Sequence, residues 1–396
     1  MRVNRYVPAV AIQTRILAGL IAGVFAEASA QAPTVIDYRQ SPVPAARWSV
    51  GSACTNVGAP STTLPDGLYR TTSATRISNG TIVVGTNVNV SLLYFGTGGN
   101  VVARAGGRGG GPGEIDGPAV FIYRYRGDSI LAHSVGRGAA QMTIFGPDGK
   151  FARTFRLTPK EGLNPGLIVG SSLRDGSIVT RVGTGMIPMR AGEADRIQTD
   201  STTLRTYDAS GAERWTSDRI ADVVSGRAAP QRAQGAGGRF TISMRGVIPG
   251  RVSRWNAGAA NTLAAGVEVI YHFEEPADVL VMYDPAGAVR RRVLLGPLED
   301  ALRPGPGRAV PIADAQVLEL FADREGRAWV EVKRQTLDGN RVWWVFDAQG
   351  RWLAEATTPP RPARLLEIGG DYILTLKTDQ DDLERVESCP IVRGGR

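Results

Sequence analysis

Apolar and aromatic positions in this chain recur as short runs separated by Gly- and Asp-containing turns, and not as helical stripes. The clearest unit is an apolar residue, an aromatic, a short turn ending in Gly, and a second short run. It appears as Leu93-Tyr94-Phe95 with a turn through Gly99, and again as Ile144-Phe145 with a turn through Gly149. It recurs as Thr206-Tyr207 with Gly211, Met282-Tyr283 with Gly287, and Val345-Phe346 with Gly350. Each reads as a β-hairpin: Gly supplies the positive φ that the turn needs, Asp or Pro starts it, and the flanking residues suit strands.

A further strand with its own polar turn lies upstream of most hairpins. Examples are Ile82-Val83-Val84 after Asn79-Gly80, Ile130-Leu131-Ala132 after Gly127-Asp128, and Ile178-Val179-Thr180 after Asp175-Gly176. Others are Ala328-Trp329-Val330 after Gly326, Tyr372-Ile373-Leu374 after Gly369-Gly370, and Val267–Phe273. No amphipathic helix of useful length follows residue 30. The pattern gives six units, and the 366 residues after position 30 divide into 61 per unit. Four short strands fill that length, the size of a propeller blade. The predicted fold is all-β, a six-bladed β-propeller over residues 72–396 preceded by a partly extended segment at 31–71. Spacing is uneven: the turn glycines at 149, 211, 287 and 350 are 62, 76 and 63 apart. The longest interval holds Ala221–Gly238, which lacks periodicity and reads as a surface insertion.

The first 30 residues break the pattern. Arg2, Arg5 and Arg15 precede or open the apolar stretch Ile16–Ala26, and Ala28-Ser29-Ala30 follows as a small-residue cleavage site. That is the form of a secretory signal peptide cleaved after Ala30. No apolar run reaches the roughly 18 residues needed to span a bilayer. The expected location is therefore periplasmic or secreted, with no integral membrane segment after cleavage, and the expected state is a monomer. The formal charge of +8 falls to +6 without the leader. It is carried by 42 Arg and 4 Lys that are scattered along the chain, so no nucleic-acid partner is expected. Export permits disulfides, and the two cysteines, Cys54 and Cys389, lie near the ends of the mature chain. They are candidates for a bridge that ties the ends together; two unpaired buried thiols are the alternative.

Residues Gly106–Phe155 resemble an NHL-type repeat. The matching residues are Gly109-Gly110-Gly111-Pro112-Gly113-Glu114, Pro118-Ala119-Val120, the Asp128–Ala132 strand and Ile144-Phe145-Gly146-Pro147-Asp148-Gly149-Lys150-Phe151. The Gly107–Glu114 connector is similar to that of exported bacterial six-bladed propellers of the broader TolB-like architecture. The resemblance implies that architecture. It departs from the NHL pattern where an Asp and an Arg pair within the unit: His133 and Met142 stand near those places.

Candidate chemistry is sparse. The Gly-rich connector lacks the Gly-Lys-Ser/Thr and G-x-G-x-x-G patterns of phosphate loops. It reads as a close-packed crossing, or as a face on which Arg104, Arg108, Glu114 and Asp116 bind a polar ligand. Two histidines, His133 and His272, are too few for a typical catalytic zinc site. Calcium needs only oxygen ligands, so calcium is a possible cofactor, with Glu114, Asn164, Glu274 and Asp323 as candidates. No G-x-S-x-G occurs. The adjacent pairs Glu274-Glu275 and Asp381-Asp382 point to opposite faces of a strand, and no catalytic residue is assigned. Two functions follow: an exported binding or scaffold protein that recognises a protein, peptide or glycan on one propeller face, or a calcium-dependent hydrolase or lyase at the channel mouth.

Overall fold

The computed structural model describes residues 32–38, 44, 46–134, 141–160, 167–183, 196–218, 220–226, 263–266, 268–274, 279–295, 319–360 and 363–394. Residues 1–30, read above as a leader, and Asn164, Glu275 and 227–238 lie outside them. Among the described residues the chain is all-β, with 27 strands and one turn of 3-10 helix at Arg126–Asp128. No helix among them is long and apolar enough to cross a membrane.

Strands β1 (Thr34–Asp37), β2 (Ala46–Val50) and β3 (Thr55–Val57) come first. β4 (Thr71–Arg76), β5 (Ile82–Thr86), β6 (Ser91–Phe95) and β7 (Val101–Gly106) then form a four-stranded antiparallel meander. β8 (Val120–Arg124), β9 (Ile130–Ser134), β10 (Gln141–Phe145) and β11 (Phe151–Arg156) form a second. The third contains β12 (Leu167–Ser172), β13 (Ile178–Gly183), β14 (Arg196–Tyr207) and β15 (Glu213–Thr216), with β16 (Ile220–Gly226) on the far end of β14. The first residues of the expected insertion are thus ordered strand: Ala221 to Gly226 pair with Ser201 to Arg196. The fourth meander is β17 (Leu263–Ala265), β18 (Ile270–Glu274), β19 (Val279–Tyr283) and β20 (Val289–Leu294), and β1 adds to it parallel to β20.

The last sheet has nine strands. It holds the meander β21 (Leu320–Ala322), β22 (Ala328–Gln335), β23 (Arg341–Phe346) and β24 (Trp352–Thr358), and also β25 (Arg364–Ile368), β26 (Tyr372–Thr378) and β27 (Glu384–Gly394). β2 lies between them, parallel to β24 and antiparallel to β27, and β3 pairs with β27. The segment 31–71 therefore supplies strands to two sheets. Cys54 and Cys389 form a disulfide beside β3, across a sequence separation of 335.

The hairpins share one turn chemistry. A bulge interrupts the register at Tyr94/Phe95, Ile144/Phe145, Thr206/Tyr207, Met282/Tyr283 and Val345/Phe346. Each is followed by a glycine at positive φ, the geometry of a turn closed by a glycine bulge. Asp208, Asp284 and Asp347 hold three of these turns by accepting the amide of the residue four places on. Close approach adds a second demand for glycine. A Cβ on Gly211 would lie 2.1 Å from the Arg156 carbonyl of the preceding sheet, and one on Gly287 would lie 2.0 Å from Trp215.

Apolar clusters join each meander to the next. Tyr94 and Leu92 meet Val120, Ile122 and Phe145; Tyr125, Leu131 and Ile144 meet Ile178 and Tyr207; Val179 and Leu204 meet Ile270 and Val281. Tyr271 and Met282 meet Leu320 and Phe346, while Trp329, Trp343 and Val345 meet Leu365 and Ile373. Finally Leu366, Leu374 and Val386 meet Ala74, Val84 and Phe95 of the first meander. The leading strands β4, β8, β12, β17, β21 and β25 adjoin one another in that order, and β25 adjoins β4. The arrangement is that of a β-propeller.

Candidate functional site

The leading strands surround a cavity of about 670 Å³. It is reached by Ser73–Thr75 of β4, Ile122–Arg124 of β8 and the turn to Asp128, and Ser171–Arg174 at the end of β12. Gly266 after β17, Leu320–Arg324 around β21 and Leu366–Ile368 of β25 complete the lining. Small polar side chains tie β4 and β12 to β8. The Thr72 hydroxyl donates to the Val120 carbonyl, Ser73 Oγ accepts the Ile122 amide at 2.9 Å, and Ser172 Oγ donates to the Arg124 carbonyl at 2.8 Å. Bulky side chains at these positions would push the leading strands apart.

Three carboxylates line the cavity. Glu367 spans three meanders: it accepts from the Thr75 hydroxyl at 2.8 Å, the Arg76 amide at 2.8 Å and the Tyr372 hydroxyl at 2.9 Å, and it is paired with Arg324 at 3.1 Å. Burial, and next the charge of Glu367, raise the Tyr372 pKa. Asp128 sits at φ +62, an uncommon conformation for a residue with a side chain. It is held there by ion pairing to Arg124 and by the Ser78 amide and hydroxyl. Partial burial pushes its pKa up, but Ser78 and Arg124 outweigh that and hold it below the usual carboxylate range. Asp323 is buried and accepts four hydrogen bonds, from the Glu325 and Arg327 amides at 2.9 Å each, Arg327 Nε at 2.5 Å and Trp329 Nε1 at 2.8 Å. Burial raises its pKa, while Arg327 and Trp329 oppose the rise.

The residues singled out from the sequence fall elsewhere. Arg104, Arg108, Glu114 and Asp116 are all exposed, and none lines the cavity. Arg104 lies on β7, the last strand of its meander, and donates to the Thr63 carbonyl at 2.8 Å. Glu114 folds into its own loop and accepts the Gly111 amide at 2.8 Å; a Cβ on Gly109 would lie 2.0 Å from its carboxylate. The Gly-rich connector is therefore closed around Glu114, and that crowding is its demand for glycine.

Of the calcium candidates, Glu114 is engaged in its own loop, and Asp323 has its lone pairs directed at four donors. Asp323 would have to give up some of those bonds to hold a cation. Among the described residues, the one group of three His, Cys, Asp or Glu ligand atoms within 4.8 Å is Cys54, Glu387 and Cys389, whose sulfurs are joined to each other. His133 and Met142 are cross-strand partners. His133 is buried between Phe121 and Tyr123 with ring centroids at 5.6 and 5.7 Å, and its Nδ1 meets the Ser134 carbonyl at 3.0 Å. Burial lowers its pKa to about 4, and that of His272 to about 3. Of the Trp343-Trp344 pair, Trp343 is core, and Trp344 packs on Trp352 with centroids at 4.8 Å.

The rim residues Arg126, Arg174 and Arg324 were not singled out from the sequence. One signal points to them: each is an Arg beside the first turn of its unit, in Arg126-Gly127-Asp128, Arg174-Asp175-Gly176 and Asp323-Arg324-Glu325-Gly326.

No protein-family model and no curated protein sequence matches the chain. Solved structures do. A member of the DUF4221 family from Bacteroides vulgatus is 12% identical over 88% of this chain and 98% of that chain, with a TM-score of 0.48. The calcium-binding protein regucalcin from Agrobacterium tumefaciens is 12% identical over 89% and 97%, with a TM-score of 0.40. Virginiamycin B lyase from Staphylococcus aureus is 7% identical over 86% and 99%, with a TM-score of 0.40. Identities this low transfer no function, because one propeller fold hosts unrelated activities.

Proposed function

We propose that this chain is an exported six-bladed β-propeller, of the kind to which its NHL-like and TolB-like sequence features point, and that it binds a ligand in its axial cavity. Six apolar interfaces in ring order, the last joining the final meander to the first, support the blade count. The N-terminal Arg residues, apolar stretch and Ala-Ser-Ala site support export. One observation carries the binding reading. Each lining carboxylate is already engaged by an arginine, Asp128 by Arg124, Glu367 by Arg324 and Asp323 by Arg327. Groups fixed in this way shape a pocket and hold it open. A general acid or base has to exchange its proton with substrate.

The test is a thermal-shift screen of small molecules against the wild type and Ser171→Trp, which fills the cavity from its wall. Ligands of the cavity raise the wild-type melting temperature and leave the variant unchanged. Equal shifts in both proteins would remove the cavity as the site. A calcium-dependent melting shift together with turnover of a lactone or ester would replace binding with the hydrolase or lyase reading.

A further inference from the structure

The charges at the cavity mouth divide into two classes. Arg124 and Arg324 are spent on Asp128 and Glu367, and Asp323 is spent on Arg327. Arg126 and Arg174 also line the mouth, are exposed, and have no ion-pair partner among the described residues. The nearest carboxylate in the chain to Arg174, Asp175, is taken by Arg214 at 3.2 Å and by the Ser177 hydroxyl at 2.8 Å.

The two arginines belong to successive meanders, and both line the same cavity. The Tyr125 hydroxyl donates to the Gly176 carbonyl at 3.0 Å, which pins the turn carrying Arg174 against the strand end carrying Arg126. The Arg126 stem lies across the same turn, with its Cδ 2.4 Å from where a Cβ on Gly176 would be. A side chain at Gly176 would meet that stem and the Tyr125 hydroxyl, so glycine there lets Arg126 lie against the turn that carries Arg174. The lining of the same cavity also includes Ile122, Leu173, Leu320, Phe321, Leu366 and Ile368.

Two unpaired guanidinium groups at the lip of a concave, partly apolar wall attract anions, because the low-dielectric surroundings focus their field. Guanidinium also matches carboxylate and phosphate oxygens two at a time. A volume of about 670 Å³ suits a small molecule. We infer that Arg126 and Arg174 clamp the carboxylate or phosphate of a small organic anion whose apolar body enters the cavity. This rests on the reading of the cavity as the ligand site.

Isothermal titration calorimetry at low ionic strength tests it with three probes: 4-phenylbutanoate, phenyl phosphate and the neutral 4-phenylbutan-1-ol. Both anions should bind the wild type about tenfold tighter than the alcohol, and the stronger of the two identifies the preferred head group. Arg126→Gln and Arg174→Gln should each weaken the anions roughly fivefold and leave the alcohol unchanged. Arg104→Gln, on the outer strand, should change neither. Equal affinity for anions and alcohol overturns the clamp, as does an equal loss in Arg104→Gln. If the alcohol binds, is lost in Ser171→Trp, and no probe shows a charge preference, the clamp fails and the cavity reading stands. If no probe binds at all, both fail.

Discussion

The meanders β4–β7 and β8–β11 are each built from a contiguous stretch of chain and close on aliphatic and aromatic side chains with small Ser and Thr between them. The nine-stranded sheet is built from segments more than 250 residues apart in sequence and carries tryptophan and a buried charge cluster, which the described residues of the first region lack. Trp48 of β2 packs on Trp329 at 5.6 Å and lies under the guanidinium groups of Arg327 and Arg393 at 4.9 and 5.1 Å. Arg341 is buried between Glu319 and Glu331. The difference shows what closing the structure demands. Where the chain folds on its neighbour, ordinary side-chain packing suffices. Where it must recapture its own N-terminal strands, it adds charge pairs, indole stacking and a covalent bond.

Removing one partner of the buried charge cluster should break that contrast most sharply. Arg341 donates to Glu331 at 2.7 and 2.8 Å and to Glu319 at 2.5 Å. Burial works against its charge, but the two carboxylates outweigh burial and raise its pKa. Arg341→Met takes a shared cation away from two buried carboxylates and should cost about 3–5 kcal/mol, read from the urea midpoint. Adding Glu319→Gln and Glu331→Gln should restore most of the loss. Amide exchange should quicken in β21–β27 and stay near wild type in β4–β11. Uniform loss of protection in all sheets would mean that the two regions do not differ in how they are held.

The disulfide comes next. Cys54→Ser with Cys389→Ser releases β3 from β27 and should cost about 2–5 kcal/mol. Intact-mass measurement of the protein purified without reductant should shift by two hydrogens on reduction, and finding free thiols in the native protein would remove the covalent part of the contrast.

The first region was far more legible in the sequence than the second. Gly99 and Gly149 announce their hairpins because the turn itself demands positive φ, a local property. β1, β2 and β3 carry no such signal. Their partners Arg291 to Leu294, Ala354 to Ala356 and Val386 to Ser388 lie hundreds of residues away, and a pairing between such distant segments leaves no local pattern in either strand. The cavity was hidden for the same reason. Thr75, Arg124, Arg174, Arg324 and Glu367 meet only because leading strands from separate units converge. Arg104, Arg108, Glu114 and Asp116 drew notice because they cluster in sequence, but a connector that leads away from an outer strand carries them outward.

Acid should loosen the first region before the nine-stranded sheet. The chain has two histidines, His133 in β9 and His272 in β18, and neither lies in the nine-stranded sheet. Burial lowers the folded pKa of His133 to about 4 from its ordinary 6.5. Between those values the unfolded chain takes up a proton that the folded chain refuses, so stability falls as pH drops through that window. From pH 7 to pH 5 the loss should be about 2 kcal/mol for His133. His133→Phe keeps the stack between Phe121 and Tyr123 and removes that share of the pH dependence. An unchanged slope in the variant would show that His133 is solvated in the native protein.

The smallest effect tests what the two regions share. Tyr94 of the first meander donates its hydroxyl to the Gly146 carbonyl of the second at 3.2 Å, and Tyr271 of the fourth donates to the Gly326 carbonyl of the next. Both rings are fully buried, and each hydroxyl reaches across an interface to the backbone of a turn. Burial raises both phenol pKa values beyond the ordinary range, so these hydroxyls stay donors at any working pH. Tyr94→Phe and Tyr271→Phe should each cost about 1 kcal/mol, with the packing kept and one hydrogen bond between meanders lost. Similar losses in two interfaces that otherwise differ so much would mean that the tyrosine-to-turn bond sets the spacing between meanders, while tryptophan, charge and disulfide serve the recapture of the N-terminal strands. A loss at Tyr94 alone would show instead that the second region is held firmly enough by those additions to make the common bond redundant.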